Sequence, residues 1–500
     1  MHYRIITISF ITYNEAYPLM NRIKTLTNSS IHVAITSAVL LTIVGCGGGS
    51  KSSIEEENNT EGNLGIIFTK APPSEDYNAY AKFEFSAEDG VSYTCALNYN
   101  DFSPCESPIT LMPLSVGEQT FSVKASDAIG AEGIEEVYRW NTVSVTEPNN
   151  TEPHHADLIP EAVYPDSADG LGWRGILRVN CDFAHSSYND PIVFPSEEGA
   201  AHLHRFYGNT LVDHNTTDES VFTTGESTCQ GNVLNLSAYW MPSVLTPSFD
   251  PQTGERLLDA SGEPAWKAVS GITGDADESH ELFYYVAAVS DLESIQPIPL
   301  GMRIIAGSHM GQPGQEQNTS IVRWHCQSWD AADDDEVLLY TPDIPSCEAG
   351  DLVRQDIIFP SCWDGVNLDS ADHKSHMAYP ENSRGETVCP ASHPVALVRP
   401  SYHFGYRVSA DVYDPDTLSS ANWKLASDMY DADESNNGGM SIHADWMNGW
   451  HPELMQIILD NCLKQGLDCH DGNLANGFRL SDTRPGTQEE ADVINGGLGE

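Results

Sequence analysis

Ala81-Lys82-Phe83-Glu84-Phe85 alternates apolar with charged residues, and the same period of two returns in Tyr93-Thr94-Cys95-Ala96-Leu97 and in Phe121-Ser122-Val123-Lys124-Ala125. Successive side chains of an extended chain point to opposite faces, so each stretch predicts a strand with one buried face. Further on, Gly175-Ile176-Leu177-Arg178-Val179, Leu282-Phe283-Tyr284-Tyr285-Val286-Ala287-Ala288 and Ser320-Ile321-Val322-Arg323-Trp324 are short apolar runs rich in β-branched and aromatic residues, and they also read as strands. The expected fold is therefore mainly β, with a small β-sandwich over residues 64–145 and a larger β-rich domain, sandwich or jelly-roll-like, over 172–485. One C-terminal helix is expected from Pro452 to Lys464: proline suits a first turn, and Leu454, Ile457, Ile458, Cys462 and Leu463 fall on one apolar face.

The N-terminal region reads as an export signal. The apolar run from Ile31 to Gly45 follows Arg22 and Lys24 and is too short for a comfortable membrane span, which makes Met20 the expected start. Its end, Ile43-Val44-Gly45-Cys46, resembles the lipobox of bacterial lipoproteins. That resemblance implies cleavage before Cys46 and lipidation of its thiol, hence an exported protein that touches the membrane through its lipid anchor only. Gly47 in the next position resembles the sorting signal for the outer membrane, with the periplasmic face and the cell surface both open. Residues 46–63 read as a flexible tether, 146–171 as a second linker in which His154 and His155 take no role, and 486–500 as a disordered acidic tail.

Setting Cys46 apart from the 11 cysteines leaves Cys95, Cys105, Cys181, Cys229, Cys326, Cys347, Cys362, Cys389, Cys462 and Cys469. An even number in an exported chain predicts disulfides, five at most, with connectivity open. No C-x-x-C pair occurs, which argues against a zinc ribbon. A formal charge of -49 argues against nucleic acid and anionic lipid surfaces as partners.

The run Cys95-Ala96-Leu97-Asn98, then Cys105, Leu114, Gly117, Phe121, Val123 and Ala125-Ser126-Asp127-Ala128-Ile129-Gly130, closing at Trp140, resembles bacterial extracellular immunoglobulin-like modules. The resemblance implies a spacing or adhesion task and a Cys95 to Cys105 disulfide.

Histidines cluster in the large domain: His202-Leu203-His204, Asp372-His373-Lys374-Ser375-His376 and His443-Ala444-Asp445. On a strand, residues two apart share a face, so His202 with His204, and His443 with Asp445, would each present both groups to one point. His373 and His376 would converge on a helical turn or tight loop. Such a site suits a divalent metal or acid/base chemistry, because imidazole titrates nearest neutral pH. Each pair taken singly also fits a bland role, satisfying buried carbonyls. No H-E-x-x-H, G-x-S-x-G, P-loop or dinucleotide fingerprint is present. The acidic run from Asp431 to Asn436 lacks both the glycine and the glutamate of a calcium loop.

Together His202-Leu203-His204, Ser237-Ala238-Tyr239-Trp240-Met241-Pro242, Phe359-Pro360-Ser361-Cys362-Trp363-Asp364-Gly365, the stretch from Asp372 to Pro380, Cys389-Pro390-Ala391-Ser392-His393-Pro394 and His443-Ala444-Asp445-Trp446-Met447-Asn448-Gly449-Trp450 resemble the domain-of-unknown-function family nineteen-ninety-six. The resemblance makes the three histidine clusters signature positions of that family. Trp446 departs from the phenylalanine expected there and should leave His443 and Asp445 in place.

The functional expectation is an enzyme acting on extracellular polysaccharide by hydrolysis or elimination. Asp364, Asp372 and Asp445 are its candidate carboxylates, and His202, His204, His373, His376 and His443 its candidate bases or ligands to one divalent metal ion. Tyr379 is its candidate proton donor. The alternative is a non-catalytic glycan- or metal-binding module built from the same clusters.

Overall fold

The alternating segments near residue 80 fold as read. This computed structural model describes residues 65–87, 91–145, 157–171, 174–250, 252–271, 282–328, 338–430 and 437–482. Cys46, the 46–63 tether, the two linker histidines, the Asp431 to Asn436 run and the 486–500 tail lie outside them.

The small sandwich packs a three-stranded sheet (Ile67–Lys70, Ala81–Ser86, Ile109–Leu111) on a five-stranded one led by Gly117–Ser126 and Glu136–Thr142. Phe83 and Phe121 are fully buried between them with ring centroids 4.5 Å apart, and Trp140 closes the core. Cys95 and Cys105 are bonded between neighbouring strands. The sandwich is seated on the large domain. Glu453 accepts from the Val145 N–H at 2.9 Å and from the Ser144 hydroxyl, His451 Nε2 meets the Tyr77 carbonyl at 2.9 Å, and Tyr80 packs on Phe222.

Two sheets carry the core of the large domain, with smaller sheets of two and three strands beside them. One runs in the order Val322–Gln327, Leu352–Ile358, Arg399–Arg407, Leu282–Val286, Ile176–Asn180 and Asp468–Cys469. The other runs Phe183–Ser187, His204–Gly208, Ala238–Pro242, His443–Met447, Arg303–Gly307. Their inner faces interdigitate through aromatics, as alternation requires. Tyr239 lies 4.3 Å from Phe283, Tyr207 stacks on Phe404 at 5.3 Å, and the Tyr239 and Tyr285 hydroxyls bond at 2.6 Å. Trp446 belongs to this inner layer beside Tyr239 and Tyr285, so His443 and Asp445 face the other way.

The expected C-terminal helix is present as α-helix over Pro452–Ile458 continued by a π-helical turn over Leu459–Leu463. Met455 shares the buried face with Leu454, Ile458, Cys462 and Leu463. Leu158–Pro160, inside the stretch read as a linker, pairs instead with Phe478–Leu480 near the end of the described chain. Among the described residues five disulfides form, and those of the large domain join Cys181–Cys229, Cys326–Cys347, Cys362–Cys389 and Cys462–Cys469. Among the described residues no helix is long and apolar enough to cross a membrane.

Candidate functional site: a buried histidine and aspartate cluster

The outer face of the five-stranded sheet carries the site. Along His204–Gly208 the alternation sends Tyr207 to the core and His204 and Phe206 outward. Along His443–Met447 it sends Ala444 and Trp446 inward and His443 and Asp445 outward. In register, His204 lies opposite Pro242, Trp240 opposite Asp445, Asp445 opposite Ile305, and His443 opposite Gly307. Gly307, at φ +73°, must be glycine: a Cβ there would lie 2.4 Å from the Ile442 carbonyl oxygen.

His202 sits just before its strand rather than on it, yet its ring lies 4.2 Å from that of His204 and 5.1 Å from that of His443. Two sets of ligand atoms lie within 4.8 Å of one another, His202 with His204 and His443, and Asp190 with His204 and Asp445. His204 is common to both.

The second nitrogen of two of these rings is fixed by backbone. His204 Nδ1 meets the Asn189 carbonyl at 3.1 Å and His443 Nδ1 the Ser441 carbonyl at 2.8 Å, so each Nδ1 carries the proton and each Nε2 keeps its lone pair. This is the outer-shell arrangement of metal-binding histidines. His202 Nε2, His204 Nε2 and both oxygens of Asp445 are buried without a hydrogen-bond partner. Each orphaned polar atom costs about 1–3 kcal/mol, a total that a fold tolerates where something binds.

Burial, then the neighbouring His204 and His309, pulls His202 down to about 2. Burial, then His443, pulls His204 down to about 3. His443 is driven well below the imidazole range by burial and by His202. Burial raises Asp445 well above the carboxylate range, helped by Asp190 and opposed by Lys374; Asp190 is raised by burial too. Three imidazoles that favour their neutral form and two carboxyls that favour their protonated form thus make two overlapping sets that share His204. A divalent cation held by either set would take up the free lone pairs of its histidines and replace the protons of its carboxyls.

The rim is polar. His309 is exposed, 6.2 Å from His443 by ring centroid, and Lys374 Nζ donates to the Gly307 carbonyl at 2.5 Å. Burial lowers the Lys374 pKa against the pull of Asp445 and Asp372.

Four expected residues, His202, His204, His443 and Asp445, come together. The other five do not join them. His376 is buried with both nitrogens engaged, Nε2 with the Arg303 carbonyl at 2.7 Å and Nδ1 with the Ser370 hydroxyl at 3.0 Å. It pins its loop to the sheet and has no lone pair for a metal. His373 is held by Asp369 at 3.0 Å and sits at φ +56°, so the helical spacing that would align it with His376 does not apply. Asp364 is a half-buried turn cap. The slight burial that would raise its pKa is outweighed by the backbone and side-chain amides of Asn367 and the N–H of Val366, which hold it low. Asp372 caps the same way, lowered by the Ser375 N–H and hydroxyl and by Ser370. Tyr379 donates to the Ile358 carbonyl of the other sheet at 2.9 Å, and burial raises its pKa against the pull of Arg399.

Asp190 carries no local signal in the sequence. Its Oδ1 accepts from the Ile192 and Val193 N–H groups at 2.8 Å, so Asn189-Asp190-Pro191 reads as an ordinary turn cap. Lys374 lies inside a recognised motif, between its two histidines.

All five cluster residues fall within residues 190–450, which match the family model described as "Domain of unknown function (DUF1996)". The chain belongs to the DUF1996 family. Curated protein sequences give no match. A solved structure described as "Structural basis for the promiscuous specificity of the carbohydrate-binding modules from the beta-sandwich super family" aligns at TM-score 0.15 and 8% identity, over 77% of this chain and 95% of that chain. A likeness of that size carries no argument about this protein.

Proposed function

We propose that the DUF1996 domain of this chain is a metal-dependent enzyme acting on extracellular polysaccharide, exported and held at a membrane, the outer membrane by its sorting residue, through lipid on Cys46. The observation that carries the metal is the convergence of unpartnered, buried His202 Nε2, His204 Nε2 and Asp445 oxygens beside Asp190 and His443. Three nitrogen and two carboxylate donors suit zinc, manganese or iron(II). When bound, such an ion supplies Lewis-acid polarisation of a substrate oxygen.

Elimination fits the remaining groups better than hydrolysis. Glycoside hydrolysis uses two accessible carboxyl groups whose pKa values are pushed apart. Here Asp364 and Asp372 are solvated caps held low, and Asp190 and Asp445 are buried and both raised. His309 at the open rim is the candidate base that takes a proton from the sugar carbon next to a carboxylate. The C–O bond to the leaving sugar then breaks, and Lys374, its pKa lowered by burial, is placed to protonate the departing oxygen. The rim groups favour this over a purely structural metal, which needs none.

The test incubates metal-stripped and metal-reloaded protein with neutral and acidic polysaccharides. Metal-dependent appearance of the ultraviolet absorption of unsaturated sugar ends, abolished in Lys374→Ala with metal retained, is the expected result. Metal-dependent reducing ends without that absorption would replace elimination by hydrolysis. Neither product from any substrate would leave a binding module.

A further inference from the structure

The outer face of the six-stranded sheet carries a second polar assembly, separated from the histidine cluster by the whole sandwich. Along Arg399–Arg407 alternation sends Tyr402 and Phe404 into the core and puts Ser401 and His403 on the opposite face. On the neighbouring strand Leu352–Ile358, Val353 and Ile357 are core residues and Asp356 lies on that same outer face. In register Asp356 stands opposite His403, and Ile358 opposite Ser401. Ser401, His403 and Asp356 all line one cavity of about 350 Å³.

The three side chains are joined by consecutive hydrogen bonds. His403 Nδ1 lies 2.8 Å from Asp356 Oδ1, and His403 Nε2 lies 3.2 Å from the Ser401 hydroxyl oxygen. An ionised carboxylate only accepts, so Nδ1 carries the proton and Nε2 keeps the lone pair that receives the Ser401 O–H. Asp356 is ionised: burial pushes its pKa up, but His325, His403 and Arg323 together hold it well below the usual carboxylate range. Its Oδ2 accepts from Arg323 Nε at 2.9 Å, with His325 Nε2 at 3.7 Å, which leaves Oδ1 to fix the His403 ring. A base on the nucleophile and an orienting group on the base are what activate a serine hydroxyl.

We propose that Ser401 is the nucleophile of a second active site, which hydrolyses carboxylic esters of short-chain acids, with His403 as its base and Asp356 as a positioning residue. Ser401 Oγ attacks the ester carbonyl carbon while His403 Nε2 takes the hydroxyl proton. The C–O bond to the alcohol then breaks, and His403 gives that proton to the leaving oxygen. Water, losing a proton to the same nitrogen, attacks the acyl-serine; the acid departs and the proton returns to Ser401 Oγ. Ser401 sits between Tyr284 and Ile358 in the middle of the sheet, where backbone N–H groups are spent on strand pairing. Stabilising the oxyanion then falls to side chains of the cavity wall, which favours esters over amides, because an alcohol leaves more readily than an amine. The cavity size suits a short acyl chain. The site lies on a different sheet from the metal cluster and does not rest on the metal reading.

The experiment treats the full chain, oxidised and stripped of metal by chelator, with diisopropyl fluorophosphate, and locates the label by peptide mass spectrometry. Turnover of p-nitrophenyl acetate is followed in parallel. The expected result is a label on Ser401 in wild type, with fluoride displaced, and ester hydrolysis that falls about a hundredfold or more in Ser401→Ala and in His403→Gln. Ser401→Ala deletes a single oxygen, and its melting temperature verifies that it folds. The labelling of wild type depends on no variant at all. Folded wild type that takes no label at Ser401 overturns the proposal, and so does p-nitrophenyl acetate turnover that is equal in wild type and folded Ser401→Ala.

Discussion

Asp445→Asn keeps the size of a fully enclosed side chain and removes its titration. In the metal-free protein the folded carboxyl holds its proton well above the ordinary range, because of burial and then Asp190. The unfolded chain releases that proton at about pH 3.9. Folding therefore takes up a proton over the interval between the two values. The associated stability is present below the unfolded value and is lost as pH rises toward the folded one, by about 1.4 kcal/mol per pH unit. Asp190, also raised, adds a loss of the same sign in both proteins. His202, His204 and His443, all lowered, work oppositely: their contribution is present above about pH 6.5 and lost as pH falls below it, again in both proteins. The difference between wild type and variant isolates Asp445. Urea unfolding of the chelator-treated, oxidised full chain between about pH 4.5 and pH 6.5 should show the variant gaining on wild type by about 1.4 kcal/mol per unit. Saturating metal should abolish the gain, since the ion replaces the proton in wild type. Parallel stability curves for the two metal-free proteins would refute the assignment of Asp445 as a buried, unpaired acid.

His376→Ala removes the bridge from the loop to the Arg303 carbonyl and should cost about 1–3 kcal/mol in thermal unfolding while leaving metal bound, as read by melting temperature and metal content. Glu453→Ala removes the acceptor of the Val145 N–H at the seam between the sandwich and the large domain, and should speed limited proteolysis near residue 145 without changing metal affinity.

Strands were legible because a period of two survives wherever one face is buried: Ala81, Phe83 and Phe85 are all buried while Lys82 is exposed. His443 and Asp445 were legible for the same reason, on an outward row of a strand. His202 was legible by proximity to His204, although a loop and not a strand delivers it. What the sequence hid were contacts made across the fold. Asp190 reaches His204 and Asp445 from a turn in which its Oδ1 is an ordinary local cap. The His373 and His376 spacing misled because the backbone turns left-handed at His373, which breaks the helical phase. Leu158–Pro160 gains its strand from residues near the far end of the described chain, a pairing that no local pattern shows.

The central claim is that His204 joins two ligand sets into one metal centre. Elemental mass spectrometry of the full chain, made in an oxidising compartment and loaded with excess zinc, manganese or iron(II) before desalting, tests it most directly. About one equivalent of metal in wild type and in His376→Ala, and none in a folded His204→Ala variant, is the predicted result. Wild type without metal after loading, or metal retained at the same stoichiometry in His204→Ala, would contradict it.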